Sequence, residues 1–245
     1  RSPGRAEKWK AAWESEGLSI VFANSPKDAA SAADIVFVCV GNDDDFYEVT
    51  MKDGGVLDGL SKGALLVDHT TTSANMARRA GDACERRGID FIDAPVSGGQ
   101  AGAENGQLAV MCGGTVEAMA RAEPIMQAYA KAVVHVGPVG AGQTAKMANQ
   151  MCIAGVLGGL SEAIRLAQGA GLDLEKTYEA ISGGAAQSWQ MDNRWTTMTK
   201  DTFDFGFAID WMRKDLGYAL DEAKRLGLSS PISALVDQFY ADIQA

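Results

Sequence analysis

The chain has 245 residues, and 22 Lys and Arg against 32 Asp and Glu give a formal net charge of −10. This acidic balance argues against a nucleic-acid-binding protein, because phosphate contacts need clustered positive charge. Hydrophobic residues make up 47% of the chain, which is enough for a substantial core and argues against extensive disorder. Because the chain has only two histidines, the sequence argues against a His-dependent catalytic triad and against a multi-His metal site.

The first half of the chain alternates short apolar runs with stretches of helical periodicity. The apolar runs predict six strands, of which the first is weak: 19–23, 35–40, 64–68, 89–93, 108–112 and 133–136. The stretches between them predict helices over 7–16, 26–32, 44–51, 73–87 and 116–129. Several strand runs are rich in Val and Ile, which is typical of strands covered on both faces. This alternation predicts a wound α/β sheet.

The second half shows helical periodicity alone. It predicts helices over 142–169, 174–182, 189–199, 209–226 and 232–243, with no convincing strand after residue 136. We therefore predict an α/β domain over residues 1–137 and an all-α domain over residues 138–245. No stretch has the length and composition of a membrane span, and the four cysteines show no paired spacing, so a cytoplasmic protein is expected.

Lys146 is the most informative single residue, because it is the one formally charged residue between Lys131 and Glu162. Burial lowers the pKa of a lysine towards the range where it can act as an acid or base at neutral pH. Asn149 and Gln150 follow on the same helix face, and their neutral amides suit an alcohol or carbonyl substrate. The alternative is a lysine that reaches solvent from a helix start.

Two segments follow predicted strands at the edge where wound sheets bind ligands. After Asp93, the backbone of Gly98 and Gly99 and the hydroxyl of Ser97 can bind a carboxylate, although an ordinary loop with positive φ explains the same residues. Residues 68–73 offer hydroxyls and free helix N–H groups to a ligand, although helix capping explains them nearly as well.

Other polar residues predict structural roles. His69 and His135 are expected to have satisfied structural positions, and the acidic run 43–45 is expected to begin a helix rather than to bind a metal. Lys214 and Asp215 lie in an amphipathic helix pattern, and by themselves they predict a solvated surface pair.

Three tryptophans of the second half, Trp189, Trp195 and Trp211, are expected in the core. Trp189 follows Ser188 and can instead line a pocket.

Four motifs occur in a fixed order: VDHTT at 67–71, DAPVSGG at 93–99, GAGQTAKMANQ at 140–150 and KDL at 214–216. Together they resemble the β-hydroxyacid dehydrogenase family, the group of 3-hydroxyisobutyrate dehydrogenase. The resemblance implies a Rossmann-type wound sheet followed by an all-α domain like the C-terminal domain of 6-phosphogluconate dehydrogenase. It also implies NAD(P)-dependent interconversion of a small 3-hydroxy acid and its semialdehyde by hydride transfer.

The same resemblance implies roles for individual residues. Lys146 matches the family's catalytic lysine, the general acid/base, with Asn149 and Gln150 beside it. The residues expected to bind substrate are Ser97, Gly98, Gly99 and Trp189. The residues expected to contact the dinucleotide are Arg1, Val40, Gly41, Asp45, Thr71 and Lys214. Arg1 resembles a residue that meets the 2′-phosphate of NADP, so NADP is slightly favoured over NAD, and no metal is implied.

Family members begin with a strand, a Gly-x-Gly-x-x-Gly loop and a helix, and no such loop occurs at a strand–helix junction in this sequence. We therefore expect a core fragment of a longer enzyme, with the sheet incomplete at its N-terminus. A homodimer or homotetramer with a small carboxylate-bearing substrate is expected, without nucleic-acid or membrane partners. The competing hypotheses are a non-catalytic dinucleotide-binding or interaction module of the same fold, and an imine reductase, in which the lysine is usually replaced.

Overall fold

A computed structural model describes residues 3–204 and 206–244. Its strands form one mixed sheet: β1 Ile35–Val38, β2 Leu65–Asp68, β3 Asp90–Asp93, β4 Val96–Ser97, β5 Leu108–Gly113 and β6 Ala130–Gly137. β1, β2 and β3 are parallel neighbours. β5 runs antiparallel to β3 and β4 and parallel to β6. The predicted wound sheet is confirmed, with an antiparallel step that the sequence pattern did not reveal.

Helices cover both faces of this sheet. They are α1 Pro3–Glu14, α2 Pro26–Ala30, α3 Asp43–Thr50, α4 Val56–Gly59, α5 Ala74–Glu85, α6 Gly99–Glu104 and α7 Val116–Met126. Leu66 of β2 belongs to the core cluster that contains Phe46 and Ala80, on the face of α3 and α5. Its neighbour Leu65 belongs to the cluster with Met119, on the face of α7. Adjacent strand residues therefore enter separate cores, as the unbroken Val/Ile runs predict.

The second half of the described chain is helical. It comprises α8 Ala141–Gly169, α9 Leu174–Ser182, α10 Trp189–Thr199, α11 Ile209–Arg225 and α12 Pro231–Gln244. The long helix α8 packs against α9, α10, α11 and α12, and also against β3 and β5. One small cluster, Ala74, Met147 and Ala219, joins α5 of the first half to α8 and α11. The predicted all-helical second half is confirmed.

The predicted strand at 19–23 is wrong, because this segment is irregular and Val21 is 87% exposed. A strand requires a neighbour that shares its backbone hydrogen bonds, and within the described residues this segment pairs with none. The short elements α4, α6 and β4 were not predicted, because segments of at most six residues carry little periodicity. Among the described residues, no helix combines the length and apolarity needed to cross a membrane.

Candidate active site

The N-terminus of α8 rests on a buried carboxylate at the end of β3. The backbone N–H groups of Gly140 and Gln143 donate to Asp93 Oδ1 and Oδ2 over 2.7 and 2.8 Å. Burial raises the pKa of Asp93 to about 7, although these N–H bonds favour the carboxylate. A Cβ at Gly142 would overlap the backbone oxygens of Asp93 and Met111, so this close approach requires glycine. The glycines of the motif at 140–150 therefore serve the docking of the helix.

Lys146 lies one turn further along α8. Lys146 as a whole is only 6% exposed. Within residues 3–204 and 206–244, its ammonium has no hydrogen bond. Desolvation lowers the pKa of Lys146, as does the nearby charge of Lys214, while Asp215 opposes the shift. Lys146 is thus a buried residue with a lowered pKa, and its general acid/base role stays a prediction.

Two amides and a carboxylate lie on the helices beside Lys146. Asn149 Nδ2 donates to Gln150 Oε1 over 2.8 Å, and Gln150 Nε2 donates to Asp215 Oδ2 over 2.7 Å. Gln150 and Asp215 are almost fully buried, at 1% and 2% exposure. Burial raises the pKa of Asp215, while Lys214 and Lys146 lower it. The predicted set of Lys146, Asn149 and Gln150 is thus joined to an acid on α11.

Lys214 connects α11 to the ends of β1 and β2. Its Nζ donates to the carbonyl oxygens of Gly41 and Thr71 over 2.9 and 2.7 Å, and lies 3.3 Å from Asp215 Oδ1. Two of the three N–H donors of its ammonium thus bind carbonyl oxygens, and its positive charge lies beside the carboxylate of Asp215. The prediction of a solvated Lys214–Asp215 pair is wrong, because α11 packs the pair against the strand-end loops and Asp215 is buried.

The loops after β1 and β2 are also bonded to each other. Val40 N–H donates to Thr70 Oγ1 over 3.0 Å, and Thr70 N–H donates to Asp68 Oδ1 over 2.9 Å. Asp68 Oδ2 and Thr72 Oγ1 are buried and have no hydrogen-bond partner in the part of the chain that the structure describes. Burial raises the pKa of Asp68 to about 8. The hydroxyls of 70 and 72 therefore lie inside the protein rather than at an open ligand surface.

Helix capping explains two of the other polar segments. Ser73 Oγ accepts from Met76 N–H at the start of α5, and Asp43 accepts from both the N–H and the hydroxyl of Ser73. The acidic run 43–45 occupies the first turn of α3, as predicted. Carboxylates there oppose the positive end of the helix.

Both histidines have structural partners, as expected. His69 Nδ1 lies 2.6 Å from Ala94 O and its Nε2 2.7 Å from Tyr129 Oη. His135 Nε2 lies 2.9 Å from Gly114 O. Desolvation lowers the pKa of His69.

The segment predicted to bind the substrate carboxylate follows β3, and its glycines both have positive φ, 127° at Gly98 and 63° at Gly99. Ser97 is half-buried in β4 opposite Ala109 of β5, and the glycines are exposed. The loop therefore leaves the strand end on which α8 rests, with its backbone accessible.

Trp189 lies away from the other predicted site residues of the same chain. It is 59% exposed under the Arg194 guanidinium, and α10 packs on α8 near Leu160. Leu160 is 14 residues beyond Lys146, or about 21 Å along a helix. Of the three tryptophans expected in the core, Trp195 is buried, while Trp189 and Trp211 are not, because they lie at helix surfaces.

The residues predicted to contact the dinucleotide lie at the carboxyl ends of β1 and β2. Val40, Gly41, Asp45 and Thr71 are all half-buried there, beside the N-terminus of α3. Parallel strands of wound sheets bind nucleotides at this edge. A Cβ at Gly41 would lie 2.6 Å from Asp45 Oδ2 and 3.3 Å from a ring carbon of Trp211, so a larger residue there would displace these side chains. Arg1, the remaining predicted cofactor residue, lies outside the described residues.

Two family models match the chain in succession. The first, the NAD binding domain of 6-phosphogluconate dehydrogenase, matches residues 1–137. The second, the NAD-binding domain of NADP-dependent 3-hydroxyisobutyrate dehydrogenase, matches residues 140–245. The chain belongs to the β-hydroxyacid dehydrogenase family. It is an NAD(P)-dependent oxidoreductase that acts on the CH–OH group of hydroxy acids.

Individual members of the family match most of the chain. An uncharacterized oxidoreductase of Shewanella frigidimarina is 57% identical over 223 residues, which cover 91% of this chain and 77% of the relative. The 2-hydroxy-3-oxopropionate reductase of Escherichia coli is 34% identical over 91% of this chain and 76% of its own length. The structure of Mycobacterium tuberculosis 3-hydroxyisobutyrate dehydrogenase with L-serine superposes with a TM-score of 0.82 at 30% identity, covering 90% of this chain and 77% of that one.

Proposed function

We propose that this enzyme interconverts a small 3-hydroxy acid and its semialdehyde, with Lys146 as the general acid/base. The observation that carries the proposal is a buried lysine, beside two amides, whose ammonium makes no hydrogen bond to the described residues. Burying a lysine costs free energy that folding alone does not reward, so a desolvated lysine without a hydrogen bond favours a chemical role.

The side chains around Lys146 suit the handling of one proton. A lysine with lowered pKa can take the hydroxyl proton during oxidation and return it to the carbonyl oxygen during reduction. The nicotinamide of the dinucleotide, when bound, would supply the hydride chemistry. Asn149, half-buried three residues after Lys146, can hold the reacting oxygen, while Gln150 is already bonded to Asp215 and orients the amide of Asn149.

For the dinucleotide, we propose contacts with Val40, Gly41, Asp45 and Thr71. Lys214 contributes by fixing the carbonyls of Gly41 and Thr71 and by its positive charge. Arg1 keeps its proposed role towards a 2′-phosphate, and the preference for NADP is supported by the NADP-dependent family model.

For the substrate, we propose that Ser97, Gly98 and Gly99 bind the carboxylate. The exposed backbone and positive φ of the two glycines support this role. Trp189 is proposed to line the pocket, and its distance along the helix bundle from Lys146 favours a contribution from a second subunit of a homodimer or homotetramer.

The division into domains at 137 and 138 is also proposed. It is supported by the end of β6 at Gly137 and the start of α8 at Ala141. The cytoplasmic location stays a prediction, supported by the absence of disulfides among Cys39, Cys84, Cys112 and Cys152.

The decisive experiment replaces Lys146 by Met in the full-length enzyme. The substrate panel is 3-hydroxyisobutyrate, serine, 3-hydroxypropionate and the semialdehydes of tartronate and succinate, each with NAD(H) and NADP(H). We expect turnover to fall about 100-fold or more, with dinucleotide affinity retained. Lys176→Met, at an exposed surface lysine, is the matched control.

Near-normal turnover by Lys146→Met would contradict the acid/base role. If the wild-type enzyme binds NADPH but converts no member of the panel, the non-catalytic module becomes the better hypothesis. Activity confined to cyclic imines would favour an imine reductase.

A further inference from the structure

Gln143 lies three residues before Lys146 on α8, and its side chain is completely buried. Its Nε2 donates to Thr70 O over 2.7 Å, and its Oε1 accepts from Thr72 N–H over 3.1 Å. The amide therefore binds the backbone on both sides of Thr71, one of the residues proposed to contact the cofactor.

Gln143 is also tied to a second strand end. Its backbone N–H donates to Asp93 Oδ2, at the end of β3. One residue thus fixes α8 against the end of β3 through its main chain and against the segment after β2 through its side chain. These two strands are adjacent and parallel. The start of α8 is consequently fixed relative to the ends of both β2 and β3.

The segment 70–72 is held by the helical half at three consecutive residues. Gln143 binds Thr70 O and Thr72 N–H, while Lys214 binds Thr71 O. Lys214 belongs to α11, and its ammonium also donates to Gly41 O in the loop after β1. Gln143 alone, however, lies on the helix that carries Lys146, within one turn of it.

We infer that Gln143 is a positioning residue that sets the distance between Lys146 and the segment 70–72, which includes the proposed cofactor contact Thr71. This inference rests on the proposed function of Lys146. Reactions that transfer a hydride and a proton between prearranged groups lose about 100-fold in rate when the groups are displaced by about 1 Å. The loss of Gln143 therefore slows hydride transfer, while the cofactor contacts made by Val40 and Asp45 remain.

The test uses Gln143→Met in the full-length enzyme, which keeps the length of the side chain and removes both polar groups. Gln168→Met, at an exposed glutamine of the same helix, is the matched control. The measurements are the single-turnover rate of NADPH oxidation with the fastest semialdehyde of the panel, the Kd of NADPH by fluorescence titration, and the melting temperature.

We expect the single-turnover rate of Gln143→Met to fall at least about 10-fold, while the Kd of NADPH changes less than about 3-fold. A lower melting temperature with an unchanged rate per folded enzyme would overturn the inference, since it would show a structural role alone. A large change in Kd with an unchanged rate would overturn it too. If Gln143→Met does not fold, Gln143→Glu retains the acceptor for Thr72 N–H and is measured instead.

Lys146→Met is measured beside these variants. If it turns over normally, the proposed function fails. If it is inactive while Gln143→Met is fully active, the positioning inference alone fails.

Discussion

Gln150 Nε2 and Asp215 Oδ2 form a 2.7 Å hydrogen bond between α8 and α11. Both side chains are buried, and within the described residues the other carboxylate oxygen of Asp215 has no hydrogen bond, although Lys214 lies 3.3 Å away. Gln150 therefore donates a hydrogen bond to an acid whose charge acts on Lys146. The family resemblance implied that Gln150 lies beside the catalytic lysine, and the structure adds its hydrogen bond to Asp215.

Gln150→Leu tests this bond. It leaves a buried carboxylate without a hydrogen bond, so we expect the free energy of unfolding to fall by about 2–3 kcal/mol, measured by urea denaturation. The control is Gln127→Leu, at an exposed glutamine that bonds only to Glu123 of its own helix. A loss no larger than that of the control would contradict the importance assigned to the pair.

Two glycines of α8 provide a matched pair for the docking of the helix. Gly142→Ala places a Cβ against the backbone oxygens of Asp93 and Met111, so we expect a loss of about 1–3 kcal/mol in unfolding free energy and reduced turnover. Gly159→Ala lies in open space on the same helix and is expected to stabilise by about 0.5–1 kcal/mol. Equal effects of the two substitutions on thermal denaturation would refute the close-approach argument.

Asp68 makes stability depend on pH. Burial raises its pKa from 3.8 to about 8, so the folded state keeps a proton that the unfolded chain loses above pH 4. The stabilisation is complete below about pH 4 and is lost as the pH rises through 8. His69, whose pKa is lowered, acts in the opposite direction at acidic pH.

Asp68→Asn removes this titration and keeps an oxygen that can accept from Thr70 N–H. We expect the unfolding free energy of the wild-type protein, relative to Asp68→Asn, to decrease steadily between pH 4 and 8. The control substitution is Asp53→Asn, at an exposed loop carboxylate. A constant difference for Asp68→Asn would rule out the raised pKa.

Much of the architecture was predictable because its causes are local. Continuous Val and Ile runs identify buried strands, and the cap residues Asn42, Ser73 and Thr115 begin helices by bonding N–H groups three residues away. The weak strand at 19–23 failed because strand formation depends on a neighbour that no local pattern encodes.

The sequence by itself determined an α/β half followed by a helical half, the motifs of a hydroxyacid dehydrogenase and one charged residue in an apolar helix. Only the tertiary structure decided that the Lys214–Asp215 pair is buried, that Asp93 caps α8, and that Gln143 holds the segment around Thr71. The hydrogen bonds behind these three features join residues more than 45 positions apart: Asp93 with Gly140, Thr70 with Gln143, and Thr71 with Lys214. The burial of the Lys214–Asp215 pair depends on the packing that the last of these bonds reflects. A charged or amide side chain has the same sequence signature on a surface as in a core. Its burial is decided by the elements that pack around it.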